Sequence, residues 1–334
     1  MMESRKVQLA GGSTFTVSLP KQWAREHGVD AGSEVALRSH EDGTLLVQVD
    51  PGSGDEGRPA VDVDRHGDVP LPELVQALYA GGHDEFALVG GRATEPETVR
   101  TVERAASDLV GLTLVEAGDD GLVFRNALDP GDVSIPQTVM QLRRTACGMF
   151  EDAVAAVLDG DAATAERVVA RDDDVDRLFG VVARSFRRSL VDMREVDRLG
   201  LDRPALFDHY RAAGELERVG DQAERLARTV DGGHDGVDGD LAEALEERSR
   251  TALAILDEAT GALLEDAALD VATGLRRRRE TFDESTAALE ARLAQEGVAF
   301  GHPSVAILQR GTRVADAGAT VAEAAVQSAL RQRT

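Results

Sequence analysis

Gly214-Glu215-Leu216-Glu217-Arg218-Val219-Gly220-Asp221-Gln222-Ala223-Glu224-Arg225-Leu226-Ala227 is the stretch that decides the fold. Leu216, Val219, Gly220, Ala223 and Leu226 recur in steps of three and four, which draws one apolar stripe down a helix. The stripe extends back to Tyr210 and Ala213 and forward to Val230. At about 100° per residue, Glu217 and Asp221 fall roughly 100° and 140° from Leu216. Both acids therefore share a face beside the stripe and are expected to point outward. Spacing alone does not single them out, since a chain this acidic holds roughly eleven acidic pairs at i,i+4 by chance. The context does: Arg218 between the acids, Gly220 before the aspartate, and core positions on both sides.

Two further stripes precede this one. Val139, Leu142, Ala146, Met149, Ala153 and Val157 form the first, and Val168, Val175, Phe179, Val182, Phe186 and Leu190 the second. Such periodicity predicts helices packed lengthwise in a bundle. On the second stripe's edge lie Asp172 and Asp176, so four carboxylates with Glu217 and Asp221 are expected to face one groove. After a break at Gly232–Asp240, three more helical segments follow, Leu241–Glu265, Val271–Leu293 and Val305–Leu330. Three helices, a break and three helices again read as an internal repeat. In the second copy Thr312-Arg313-Val314-Ala315-Asp316 stands where the first has Glu217–Asp221, with Glu280 and Glu284 as further acids. Thr312 in place of Glu weakens the case for a second site.

The N-terminal half has a different texture. Val7 and Leu9 alternate before Gly11-Gly12, and Phe15, Val17 and Leu19 alternate after it. Pro20 suits the start of a helix reaching His27, and Gly28 its end. Strands Glu34–Arg38 and Thr44–Val49 flank Asp42-Gly43, a hairpin turn pair. So few strands cannot close a core alone, which implies a partner chain. After a Gly-rich linker at Pro51–Gly57, residues 60–130 alternate strands (Val61–Val63, Phe86–Val89, Leu112–Val115, Leu122–Arg125) with helices Pro72–Tyr79 and Glu97–Val110. That segment is a small α/β insert with no recognisable chemistry.

Charge and composition bound the function. Asp and Glu number 61 against 37 Lys and Arg, a net charge of −24, and the only lysines are Lys6 and Lys21. Acids spread along the whole chain with few aromatics point to a surface kept soluble in concentrated salt. Cys147 is the single cysteine, which excludes an intrachain disulfide and a thiolate metal site. The start has no apolar h-region and no apolar run approaches the roughly 20 residues of a membrane span, so a cytoplasmic protein without membrane insertion is expected. No Glu-x-x-His pair and no phosphate loop occur, so neither a di-iron oxidase nor a nucleotide hydrolase is indicated. The run Arg276–Arg279 reads as a solvated or salt-bridged helix face.

The Glu217-Arg218-Val219-Gly220-Asp221 core resembles the signature of the PhoU family of phosphate uptake regulators. That resemblance implies helical bundles whose surface acids hold metal ions, with Asp172, Asp176, Glu217 and Asp221 as candidate ligands for iron, zinc or manganese. Thr14-Phe15-Thr16-Val17-Ser18-Leu19-Pro20-Lys21, with Trp23, His27-Gly28-Val29 and Gly32-Ser33-Glu34-Val35, resembles the AbrB/SpoVT swapped-hairpin domain. In that family two chains exchange hairpins into one β-barrel, and many members bind DNA through basic residues. Arg5, Lys6, Lys21 and Arg25 are the candidates here, in a segment of 5 basic and 7 acidic residues.

The expected architecture is mainly α: two three-helix PhoU-like bundles (135–231 and 240–331) preceded by a swapped-hairpin β-barrel domain (1–50) and the α/β insert (60–130). Its order resembles an archaeal, halophilic type of phosphate uptake regulator. The implied function is non-enzymatic control of phosphate uptake and homeostasis by a homodimer joined through its N-terminal domain. Promoter DNA and a phosphate transporter or signalling regulator are the implied partners. Two alternatives stay open: a protein–protein adaptor of a phosphate transporter that never binds DNA, and a carboxylate-bridged metalloenzyme.

Overall fold

The structure, a computed structural model, describes residues 4–39, 43, 45–49, 58–65, 69–230, 236–237, 239–265, 268–299 and 301–331. Asp42 of the expected hairpin turn and the linker Pro51–Gly57 lie outside the described residues. The chain forms two compact units, residues 1–58 and 59–334.

In the first unit, strands β1 (Gln8–Ala10) and β2 (Thr14–Thr16) pair antiparallel with Leu9 opposite Phe15. Gly11 and Gly12, at φ +63° and +82°, make the left-handed turn that Cβ-bearing residues resist. Helix α1 (Lys21–Glu26) starts directly after Pro20, and Gly28 at φ +66° follows its end. Strands β3 (Val35–Ser39) and β4 (Leu45–Val49) form a second antiparallel pair. The two pairs are separate two-stranded sheets, and their apolar side chains lack a core. Phe15 is 74% exposed and Leu9 62%, with Val7, Val17 and Leu37 also in the open.

The second unit begins with the α/β insert. Strands β5 (Ala60–Asp62), β6 (Glu85–Val89), β7 (Leu112–Gly118) and β8 (Gly121–Asn126) form one sheet in the order β5-β6-β8-β7. Helix α2 (Leu71–Ala80) is the crossover between the parallel pair β5 and β6, and α3 (Pro96–Ser107) precedes the β7–β8 hairpin. Tyr79, Phe86, Leu88, Val102 and Phe124 are buried together as the insert's own core.

Helices α4 (Ile135–Asp159), α5 (Ala162–Ala170), α6 (Asp172–Val191), α7 (Met193–Leu199) and α8 (Arg203–Ala227) follow. After them come α9 (Gly239–Leu264), α10 (Ala268–Gln295) and α11 (Pro303–Arg331). The three long helices α4, α6 and α8 pack as one bundle and α9, α10 and α11 as another, while α8 lies on α11 and α4 on α9. One continuous apolar core runs through both. No helix among the described residues is long and apolar enough to cross a membrane.

Two expectations need correction. The second stripe does not follow one helix, because the chain breaks at Arg171 and α6 starts afresh at Asp172. Asp172, Asp173 and Asp174 occupy its first turn, where negative charge meets the positive end of the helix dipole. Leu190, the last member of that stripe, is not in the core but exposed at the end of α6.

Helix α6 also seats the insert. Arg184 is buried and donates to the carbonyls of Tyr79 (3.0 Å) and His83 (2.8 Å) and to Asp84 Oδ1 (2.6 Å). Arg188 pairs with Asp84 and, through Nε, with the buried Glu195 at 3.1 Å. Each buried charge is thus met by a fixed partner.

Candidate functional site

The acids of α8 face those of α6 because a glycine lets the helices meet. A Cβ at Gly220 stands 2.9 Å from Val175 Cγ1, closer than packed atoms tolerate. Val175 is fully buried and sits between Asp172 and Asp176 in sequence, and Gly220 lies between Glu217 and Asp221. This contact therefore brings the two acid pairs to opposite sides of one seam.

The carboxylates are half-buried rather than outward-pointing. Packing against the neighbouring helix covers the edge of the stripe, which the single-helix projection left open. The environment is unfavourable to charge. Burial, then repulsion from Asp221 and Asp176, pushes Glu217 up to about 7 against the opposing Arg218. Burial, then Asp176, Glu224 and Asp221, pushes Asp172 up to about 6. Asp176 is raised by the same two causes, burial first and Asp221 next. Glu224, half-buried one turn beyond Asp221, adds to the field but is paired with Arg228.

The arginines beside the site are mostly occupied elsewhere. Arg218 pairs with Glu215, and Arg177 with Asp174 (3.2 Å) and the Asp108 carbonyl (2.8 Å). Among the described residues only Asp221 of the four candidates has an arginine, Arg225 at 2.7 Å. Asp172, Asp176 and Glu217 have no ion pair among the described residues.

This donor set, four carboxylates, suits a hard multivalent cation such as iron or manganese, and zinc also takes carboxylate oxygens. The four share a seam but not a coordination sphere: among the described residues no three His, Cys, Asp or Glu side chains converge as a metal cage. Asp221 is drawn aside to Arg225, so coordination requires side-chain rotation.

The second bundle answers the same position differently. Thr312 Oγ1 accepts from Arg248 Nη2 at 3.0 Å, and Asp316 pairs with Arg279 at 2.8 Å. Arg248 is buried, stacks over the Phe282 ring at 3.7 Å and donates Nη1 to the Phe282 carbonyl at 3.0 Å. Glu280 and Glu284 are exposed. Guanidinium groups therefore meet the residues that correspond to Glu217 and Asp221. Arg279, read from sequence as part of a solvated or salt-bridged helix face, is salt-bridged to Asp283 (2.9 Å) and Asp316.

Sequence reading missed Arg248, although a signal was there. With Leu245, Ala252 and Leu256 it continues the buried stripe of α9, where an arginine is out of place.

In the N-terminal unit, Lys21 and Arg25 are exposed one turn apart on α1, and Arg5 and Lys6 are exposed ahead of β1. Gln22 and Glu26 join across the same turn at 2.9 Å. Cys147 is partly buried, and its thiol is pushed up to about 12, first by burial, which suits packing rather than attack.

The PhoU domain family model matches residues 139–230, and the model of MazE, a bacterial antitoxin described as an antidote-toxin recognition domain, matches residues 8–53. No curated protein matches the chain significantly. Among solved structures, PhoU from Pseudomonas aeruginosa aligns at 17% identity over 59% of this chain and 96% of its own, with a TM-score of 0.49. The phosphate transport system regulatory protein PhoU from Streptococcus pneumoniae aligns at 18% identity over 57% and 91%, with a TM-score of 0.45. The chain thus carries a PhoU domain, which holds the acid seam of α6 and α8, behind an N-terminal domain of the MazE/AbrB-like kind.

Proposed function

We propose that this chain is a cytoplasmic, non-enzymatic regulator of phosphate uptake, in which the acid seam takes up a metal ion and the N-terminal unit joins two chains and contacts promoter DNA. The observation that carries the reading is the PhoU domain match at 139–230, inside which Gly220 packing sets Glu217 and Asp221 against Asp172 and Asp176. A cation held there would neutralise carboxylates that burial and mutual repulsion now disfavour. The seam's residues do the holding; no step of covalent chemistry is assigned to them.

Dimerisation rests on the apolar side chains of β1, β2 and β3. Phe15, Leu9 and Leu37 stand in the open on a unit too small to bury them, and a second copy of the same unit would cover them. Light scattering should give twice the chain mass for the full protein and the single mass for a chain beginning at Pro59. A shortened chain that stays dimeric would move the interface to the helices.

The function is tested by measuring transcripts of phosphate-transport genes, in high and low phosphate, in three strains: parent, deletion, and Lys21→Glu with Arg25→Glu. A deletion that changes their response to phosphate supports regulation, and an unchanged response sinks it. If the double variant behaves like the deletion, the basic residues act at DNA. If it behaves like the parent, the protein is an adaptor of a transporter or signalling partner.

A further inference from the structure

On the side of α8 turned toward the second bundle lies a groove of about 180 Å³ between α8 and α11. Arg218, Val219 and Gln222 line it from one helix and Arg313, Asp316 and Thr320 from the other. Glu215 and Asp316 line it too, but the charge left unpaired there is positive. Arg313 is exposed and meets no carboxylate among the described residues. Arg310, one turn earlier on α11 and half-buried, does not line the groove but reaches it through Gln222, donating Nη1 to Gln222 Oε1 at 2.8 Å; its Nε is buried without a hydrogen-bond partner among the described residues. It too has no ion pair among the described residues. Burial first, then Arg225 one turn beyond Gln222 on α8 and Arg313, disfavour the charge on Arg310, and Arg225 is itself paired with Asp221.

The two carboxylates that line the groove are already neutralised, Glu215 by Arg218 and Asp316 by Arg279. That leaves Arg310 and Arg313 without a carboxylate among the described residues, in a chain of net charge −24. Their mutual repulsion and the orphaned Nε both call for a negative charge.

We propose that this groove binds a compact tetrahedral oxyanion of the phosphate class, clamped by Arg313 and by the Gln222 amide, with Arg310 holding Gln222 from behind. Arginine forks suit such oxygens bidentately. Gln222 gives its oxygen to Arg310 and so keeps its Nε2 hydrogens to donate to the ion. The volume is below that of sites for drug-sized ligands, which selects a free ion over a nucleotide. Because α8 and α11 belong to different bundles, the ion would tie the two repeats together. The proposal does not depend on the acid seam or on the regulatory reading above, and it stands or falls with these arginines alone.

The test is calorimetric titration of the full chain at fixed ionic strength with inorganic phosphate, sulfate and pyrophosphate in separate runs. Saturable binding of phosphate is expected, with Arg313→Gln weakening it roughly tenfold or more. Arg313 has no partner among the described residues and repels Arg310, so its replacement should leave the anion-free melting temperature unchanged or slightly raised, and weaker binding cannot be put down to unfolding. Arg310→Gln, which releases Gln222, should weaken binding less. No saturable heat from any of the three ions, or equal phosphate affinity in parent and Arg313→Gln, would overturn the site. Binding of pyrophosphate tenfold tighter than phosphate would overturn the assignment to a single compact ion.

Discussion

The two bundles of this chain place charge at corresponding positions and satisfy it in different ways. In the first, Glu217 and Asp221 face Asp172 and Asp176 across a seam where one arginine, Arg225, reaches one of the four. In the second, the equivalent positions hold Thr312 and Asp316, and Arg248 and Arg279 reach both. The first bundle keeps an unbalanced charge that an external ion can relieve. The second carries its own cation, fixed by covalent attachment and by stacking on Phe282. Two three-helix bundles can therefore share an arrangement while only one of them carries a built-in counter-charge at this position.

The largest effect should come from removing that counter-charge. Arg248→Ala deletes two hydrogen bonds from a buried guanidinium and its contact with the Phe282 ring, at a cost of about 3 kcal/mol. Burial already lowers Arg248 to about 10, yet it stays charged at neutral pH, so its hydrogen bonds are those of a cation. Urea unfolding measures the loss. A cost below about 1 kcal/mol would mean that the second bundle does not depend on its arginine, and the contrast between the bundles would lose its basis.

The next effect concerns the ion itself. A cation that binds only the folded chain stabilises it by about 2.7 kcal/mol at a hundredfold excess over Kd. Chelator-stripped protein should therefore melt higher after addition of manganese, zinc or iron, measured in molar KCl so that general screening is already saturated. Glu217→Gln with Asp176→Asn is the informative variant, because neither side chain has an ion pair to lose. It should melt higher than the parent when stripped and gain little from metal. Glu280→Gln with Glu284→Gln, on the second bundle, should respond to metal as the parent does. An equal metal response in all three proteins would assign these carboxylates to ordinary acidic surface.

The helices and their stripes were legible in the sequence because burial follows the 3.6-residue period. Val139, Leu142, Ala146, Met149, Ala153 and Val157 are all buried, as their spacing requires. The break at Arg171 was not, since Val168 and Val175 keep helical spacing across it and only the Asp172–Asp174 run marks the new start. The four acids were legible as a group, but their burial was not. A helical projection shows angle from the stripe, whereas coverage depends on how near the neighbouring helix comes, which Gly220 and Val175 decide. Arg248, Arg310 and Arg313 were missed for a related reason. Arginine on an acidic chain reads as surface until the structure shows which guanidinium groups lack a carboxylate.

The smallest expected effect is the pH dependence of the seam, and its sign separates the bundles. Glu217 rises from 4.5 to about 7 on folding and Asp172 from 3.8 to about 6, both chiefly through burial. Below the lower values both states hold the protons and these groups contribute their full stability. As pH rises, the unfolded chain releases its protons first, so the contribution falls and is lost once pH passes the folded values. Stability of the metal-free parent should thus decline from about pH 4.5 to about pH 7.5 relative to Glu217→Gln. The difference between the two proteins isolates this residue from every other titrating group. Because the side chain is half-buried, solvent screening reduces the effect to about 1 kcal/mol, or 2–4 °C in melting temperature. Arg248, at about 10, does not titrate in this window, so Arg248→Ala should lower stability by the same amount at pH 5 and pH 7.5. Bound metal should abolish the slope of the parent, since the ion holds the carboxylates charged. A parent curve parallel to that of Glu217→Gln across this range would show that Glu217 is solvated in both states and that the seam is not closed around it.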